Sequence, residues 1–183
     1  MAVMFSASDL AGDYWQERNQ GTLRRLVFAP AQLSQFVLGK ALAAAALIGL
    51  VAGVTLVLGF LYLDISWLKL PSSLVWVSVS GVALFAWFAA LQMLFSNKRT
   101  ASIVSTALVF PLLMAGGSFF PMAVMPGWMA AIGRVSPNGF VADRLTTEFT
   151  GAGAWQIDLA SWAIVIAAGL AGLALCGWRL RTG

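Results

Sequence analysis

Seven carboxylates, eleven basic side chains, two tyrosines and one thiol are the whole titratable inventory of this 183-residue chain, which has no histidine. Without imidazole there is no Ser-His-Asp relay, no His-ligated zinc and no histidine-held haem. The lone Cys176 excludes an internal disulfide and a Cys-rich metal site. Asp64, Asp143, Glu148 and Asp158 fall near the ends of apolar runs or in the loop beyond them, which leaves them no role as a mid-membrane proton relay. No Gly-x-x-x-x-Gly-Lys-Ser/Thr run is present to cradle ATP phosphates. No nucleophile sits beside an evident base, so an intramembrane enzyme is the weakest function class. The chain is expected not to be an enzyme and to hold neither cofactor nor metal.

Two segments carry spacing that could do mechanical rather than covalent work. In the first, Thr22 after Gly21 is an N-cap signal, with Leu23, Leu26 and Val27 on one helical face and Arg24 and Arg25 turned away, until Pro30 stops the turn. This pattern predicts a short amphipathic helix on the cytoplasmic surface, joined to the first span that follows. A simple membrane-surface anchor fits the pattern as well. In the second, Gly116, Gly117, Pro121, Pro126 and Gly127 crowd into an uncharged run from Thr100 to Gly133. That run, about 34 residues, would measure about 51 Å as one helix, against roughly 30 Å of hydrocarbon, so it must bend or return. A re-entrant outer hairpin over 116–137 is expected, and a tilted helix followed by an interfacial helix is the alternative. Phe119, Phe120, Met122, Met125, Trp128 and Met129 would give it an apolar, adaptable surface, although ordinary hairpin packing accounts for them equally.

The elements that hold these segments follow from composition. With 60% hydrophobic and 10% charged residues, the chain lies far from the soluble norm of roughly 25% charged, and the expected fold is an all-α polytopic membrane protein in one transmembrane domain, 1–183. A span needs about 20 apolar residues, and spans are expected at 36–63, 71–95, 101–120 and 155–178, behind a cytoplasmic segment 1–35. That segment is no signal peptide, since it has no basic start and Asp9 and Asp13 interrupt it. With both termini cytoplasmic, Arg18, Arg24, Arg25, Lys40, Lys98, Arg99, Arg179 and Arg181 lie inside, against Lys69, Arg134 and Arg144 outside. This positive-inside bias accounts for most of the net charge of +4, and no nucleic-acid partner is expected. Lys40 would snorkel to the headgroups, and Gly49-x-x-x-Gly53 would admit a close helix contact, including one in a dimer.

These residues resemble the membrane subunits of ABC transporters of the type-2 exporter class. The resemblance is carried by a Glu-Arg-x-x-Gly-Thr-Leu-x-Arg-Leu run, here Glu17, Arg18, Gly21, Thr22, Leu23, Arg25 and Leu26, followed by Pro30 and Gly39-Lys40. It continues in Gly117, Phe120-Pro121, Met125-Pro126 and Trp128, with Pro137 after them. The resemblance implies that the first motif is the coupling helix seated in a separate ABC ATP-binding subunit, which would bind the ATP. It implies that the second bounds the exit of the transport path. It further implies a permease in the cell membrane, working as a homodimer or with a second permease half, and exporting an amphiphilic drug, lipid or glycan. Members have six spans where this chain supplies about four, with Met1 to Asp13 where the cytoplasmic end of the second span should be. The alternative is a truncated scaffold or degenerate permease fragment that transports nothing.

Overall fold

The computed structural model describes residues 1–20, 33–120, 124–150 and 158–182. Among them the chain forms seven α-helices and no strand: α1 Ala2–Asn19, α2 Leu33–Leu63, α3 Leu70–Gln92, α4 Lys98–Ala115, α5 Gly127–Val135, α6 Pro137–Thr150 and α7 Leu159–Thr182. The fold is therefore all-α and polytopic. Three helical stretches are long and apolar enough to cross a membrane, Val37–Leu63, Trp67–Gln92 and Leu159–Leu180. The fourth expected span, 101–120, is carried by α4, which opens on Lys98 and Arg99 under an Asn97 side-chain cap and ends at Ala115. Its apolar part covers about 22 Å, short of roughly 30 Å of hydrocarbon, because the chain turns at Gly116 and Gly117.

The central element is α3, which buries Trp76, Ser80, Gly81, Leu84, Phe85, Ala86, Phe88 and Ala90 and touches α1, α2, α4, α6 and α7. The others bury one stripe each. On α2 it is Ala41, Ala44, Ile48, Ala52, Leu56 and Phe60, and on α4 Ala101, Ser105, Val109 and Leu113. Lipid tails are as apolar as leucine, so such helices associate by close packing rather than by hydrophobic burial. Small residues on α7 make that possible: a Cβ on Gly172 would lie 2.9 Å from the Ala86 Cβ, and one on Gly169 3.3 Å from the Ala83 Cβ. Gly49 and Gly53 face Ser78 and Leu74 of α3, so their spacing serves packing inside this chain.

The described part of the N-terminal segment does not lie flat against other elements' ends. α1 buries Met4, Ala7, Ala11 and Trp15 and runs alongside α3 in the same direction, packed also on α2 and α4. A Cβ on Gly81, near the middle of α3, would meet Val3, whereas Trp15 reaches Gln92 at the end of α3. There the Trp15 Nε1 donates to Gln92 Oε1 at 2.8 Å and Gln92 Nε2 donates to Ser105 Oγ at 3.0 Å, joining three helices through buried polar atoms.

Candidate functional site

At the end of the bundle where α1 finishes, Glu17 and Arg18 stand in the last turn. Glu17 Oε1 lies 3.0 Å from Lys40 Nζ, with each side chain about three-quarters covered. Arg18 sets its guanidinium 5.2 Å from the ring centre of Trp15. Lys40, expected to reach for the headgroups, also ties α1 to α2. No periodicity could have announced this pair, since its partners belong to separate helices. Gly21, Thr22, Leu23, Arg24, Arg25, Leu26 and Pro30, and with them the expected surface helix, lie outside the described residues. The flanks are described, and they are held together: Glu17 and Lys40 join α1 to α2, and Trp15 and Gln92 join α1 to α3.

The opposite end is built around tight backbone corners. Gly116 closes α4, and Gly117 takes a φ of 77°, in the left-handed region that glycine adopts without a Cβ clash. A Cβ on Gly116 would stand 2.5 Å from Asn138 Nδ2 and 2.8 Å from the Gly139 nitrogen, so α6 begins directly on this turn. Asn138 Nδ2 donates to Ser118 Oγ at 2.9 Å. Ser136 Oγ donates to the Gly133 carbonyl at 2.7 Å and accepts from Gly139 N at 3.1 Å, capping α6 with Pro137 following it. Pro126 stands immediately before α5. Phe119, Phe120, Val124 and Trp128 project outward, Trp128 at 67% exposure, while Met125 is half-buried. Pro121 and Met122 lie outside the described residues. Gly116, Gly117, Phe119, Phe120, Met125, Pro126 and Trp128, expected in an outer hairpin, are thus gathered at one end, with their aromatic rings unburied.

What fastens this end lies between elements distant in the sequence. Glu148 of α6 is completely buried and accepts hydrogen bonds from the Ser72 hydroxyl and, at 3.3 Å, from that of Ser73, both in the first turn of α3. Carboxylates favour helix N-termini because the helix dipole is positive there. Lys69 Nζ donates to the carbonyls of Glu148 and Phe149 at 2.9 and 3.2 Å, satisfying the end of α6 as a cation should. Trp76 Nε1 donates to Val141 O at 3.2 Å and its ring meets Trp162 edge-on at 5.0 Å, tying α6 and α7 to α3. Asp158, just before α7, accepts from the Ser161 hydroxyl, which with the attraction of Arg144 holds its carboxyl below the usual carboxylate range.

Comparison with known proteins supplies a context for this pair of ends. The family model for ABC-2 family transporter protein matches residues 1–178. The chain is 30% identical over 142 residues to the daunorubicin resistance ABC transporter permease protein DrrB1 of Streptomyces coeruleorubidus, an alignment covering 77% of this chain and 49% of that protein. The chain spans about half the length of the curated relative it matches.

Proposed function

We propose a function from one premise: this chain belongs to the ABC-2 family of transporter proteins. It acts as the membrane permease subunit of an ATP-driven exporter and forms part of the path that its cargo takes. A separate ATP-binding subunit supplies the ATP site, and this chain contributes neither cofactor nor catalysis. Residues 17–30 engage that subunit, with Glu17, Arg18, Gly21, Thr22, Leu23, Arg24, Arg25, Leu26 and Pro30 as the coupling segment. The observation that carries the reading is the Glu17–Lys40 contact, which binds the two helices flanking the segment so that it pulls on both at once.

The outer hairpin bounds the exit, where Phe119, Phe120 and Trp128 offer an apolar surface to an amphiphilic cargo. The subunit works in the cell membrane as a homodimer or with a second permease half. Both termini were expected in the cytoplasm, and the end where α1 finishes and α7 ends faces it, whereas Val3 packs beside Gly81 near the middle of α3 and so places Met1 within the bundle. Arg18, Lys40, Lys98, Arg99 and Arg179 stand together at the end where α1 finishes, while Lys69, Arg134 and Arg144 belong to the hairpin end, which supports that orientation. With Cys176 replaced, an impermeant thiol reagent applied outside should label a cysteine at 128 and spare one at 98. Reversal of that pattern contradicts the orientation.

The coupling role is tested by copurification. Arg24→Glu combined with Leu26→Asp should abolish association with the ATP-binding subunit while membrane insertion persists, and undiminished association would remove the role. A scaffold that binds the subunit without transporting would also copurify, but hydrolysis would then not respond to any amphiphile.

A further inference from the structure

Arg144 and Asp158 are opposite charges set over one aromatic cluster, and they do not close on each other. The Arg144 guanidinium lies 5.5 Å from the Phe140 ring centre, Phe140 stands 6.4 Å from Trp76, and Trp76 meets Trp162 edge-on at 5.0 Å. Asp158 sits one turn before Trp162, whose backbone N–H donates to the Asp158 carbonyl at 3.2 Å. Arg144 attracts the Asp158 carboxylate, yet no ion pair joins them among the described residues. Arg144 Nε is a buried donor with no acceptor there. Buried donors are satisfied in the great majority of cases, so this one points to an acceptor that the chain itself does not supply. Asp158 is exposed and takes one hydrogen bond, from Ser161, where a carboxylate has about four acceptor sites.

An apolar groove of about 240 Å³ leads away from this pair between α2, α3 and α7. Ala45, Val79, Ala83, Val165, Gly169 and Leu173 line it, with Ser78 its one polar side chain among the described residues. Val79, Ala83 and Val165 also belong to the cluster around Trp76 and Trp162, so the groove continues from the aromatic floor beneath the charges. Along α7, Asp158, Trp162, Val165, Gly169 and Leu173 recur at intervals of three or four residues and share one face. Asp158 immediately precedes the membrane-crossing stretch Leu159–Leu180, which sets it at headgroup level. At 1.5 Å per residue the groove runs from about 10 Å to about 22 Å beyond it, the depth of the acyl layer of one leaflet, itself roughly 15 Å thick.

We propose that this is the site of an ethanolamine phospholipid, its phosphate on the Arg144 guanidinium, its ammonium on the Asp158 carboxylate and one acyl chain in the groove. Guanidinium and phosphate match in charge and in hydrogen-bonding geometry. The ammonium donates hydrogen bonds to a carboxylate, which a trimethylated choline cannot do. A cation and a carboxylate held apart thus fit a zwitterion of the same two charges in reverse. The site is independent of the exporter reading, and only its assignment to the outer leaflet follows from the proposed orientation.

The probes are dioleoyl phosphatidylethanolamine and dioleoyl phosphatidylcholine, offered in equal amounts to the full chain in detergent micelles, with retained lipid read by native mass spectrometry. The two carry the same net charge, so the basic end of the bundle favours neither. The wild type should retain the ethanolamine lipid about fivefold over the choline lipid. Asp158→Asn keeps the helix cap and should remove that preference. Arg144→Gln should lower retention of both lipids about threefold or more. Should that variant fail to fold, Val82→Phe narrows the groove without touching charge and should lower retention of both severalfold. Equal retention of the two lipids by the wild type overturns the proposal, as does a preference that survives Asp158→Asn. Retention unchanged by Val82→Phe shows a phosphate held without its acyl chain and overturns it too. A wild type that retains neither lipid, the result expected if a second copy of the chain covers the groove, does the same.

Discussion

At the end that the proposed orientation makes inner, α1 is fastened to α2 by a partly exposed pair, Glu17 and Lys40, whereas at the end it makes outer α6 is fastened to α3 by Glu148, which no solvent reaches. Each tie centres on a glutamate, paired with a lysine in the first and held by serine hydroxyls in the second. A charge pair near water is worth about 1 kcal/mol or less, so it can be broken and remade as its surroundings move. A buried carboxylate held by hydroxyls has no aqueous alternative, and losing its partners costs several times more. On the proposed function the inner end is thereby suited to receiving motion and the outer corner to keeping its shape.

The sharpest way to break this contrast is at the outer tie. Glu148→Lys places a cation where Ser72, Ser73 and the Lys69 ammonium already stand, and should destabilise the protein by about 3 kcal/mol or more, read as a lower unfolding temperature in detergent. A wild-type melting point would show that the tie holds nothing. Next in size is Gly139→Ala, since a Cβ there would lie 2.0 Å from the Gly133 carbonyl oxygen, and backbone must move. About 2 kcal/mol is expected, together with altered proteolysis near the α5–α6 corner. Gln92→Leu strands the Trp15 indole N–H and the Ser105 hydroxyl, for about 1–2 kcal/mol by the same melting assay. Smallest in stability is Lys40→Met, at about 1 kcal/mol or less, yet it should uncouple ATP hydrolysis from cargo. The comparison is sharpened if Lys40→Met changes function without stability and Glu148→Lys changes stability first.

The same contrast explains what the sequence disclosed. The three helices long and apolar enough to cross a membrane were readable from uncharged runs, and the breakers Gly116, Gly117 and Pro126 marked the corner that ends α4 and precedes α5. α1 was harder. Its stripe of Met4, Ala7, Ala11 and Trp15 is helical in spacing, but Ser6, Asp9 and Asp13 lower its hydropathy and hide a helix that packs along α3. The expectation that carboxylates gather at interfaces considered Asp64, Asp143, Glu148 and Asp158 and passed over Asp9, whose place along the bundle depends on α1 lying beside α3. Glu148 reads as one more polar loop residue because its partners stand 75 and 76 positions away on α3. Lys40 reads as a snorkelling cation until Glu17 is brought to it by tertiary packing. Local pattern reported the elements, and pairings between elements needed the fold.

The central claim is that the inner tie transmits the work of an ATP-binding subunit. Its most direct test is ATP hydrolysis by that subunit, reconstituted in nanodiscs with the wild-type chain or with Glu17→Gln and Lys40→Met together. The account predicts that the double variant still binds the subunit but loses the increase in hydrolysis that an amphiphilic cargo produces with the wild type. An increase of equal size in both would contradict it.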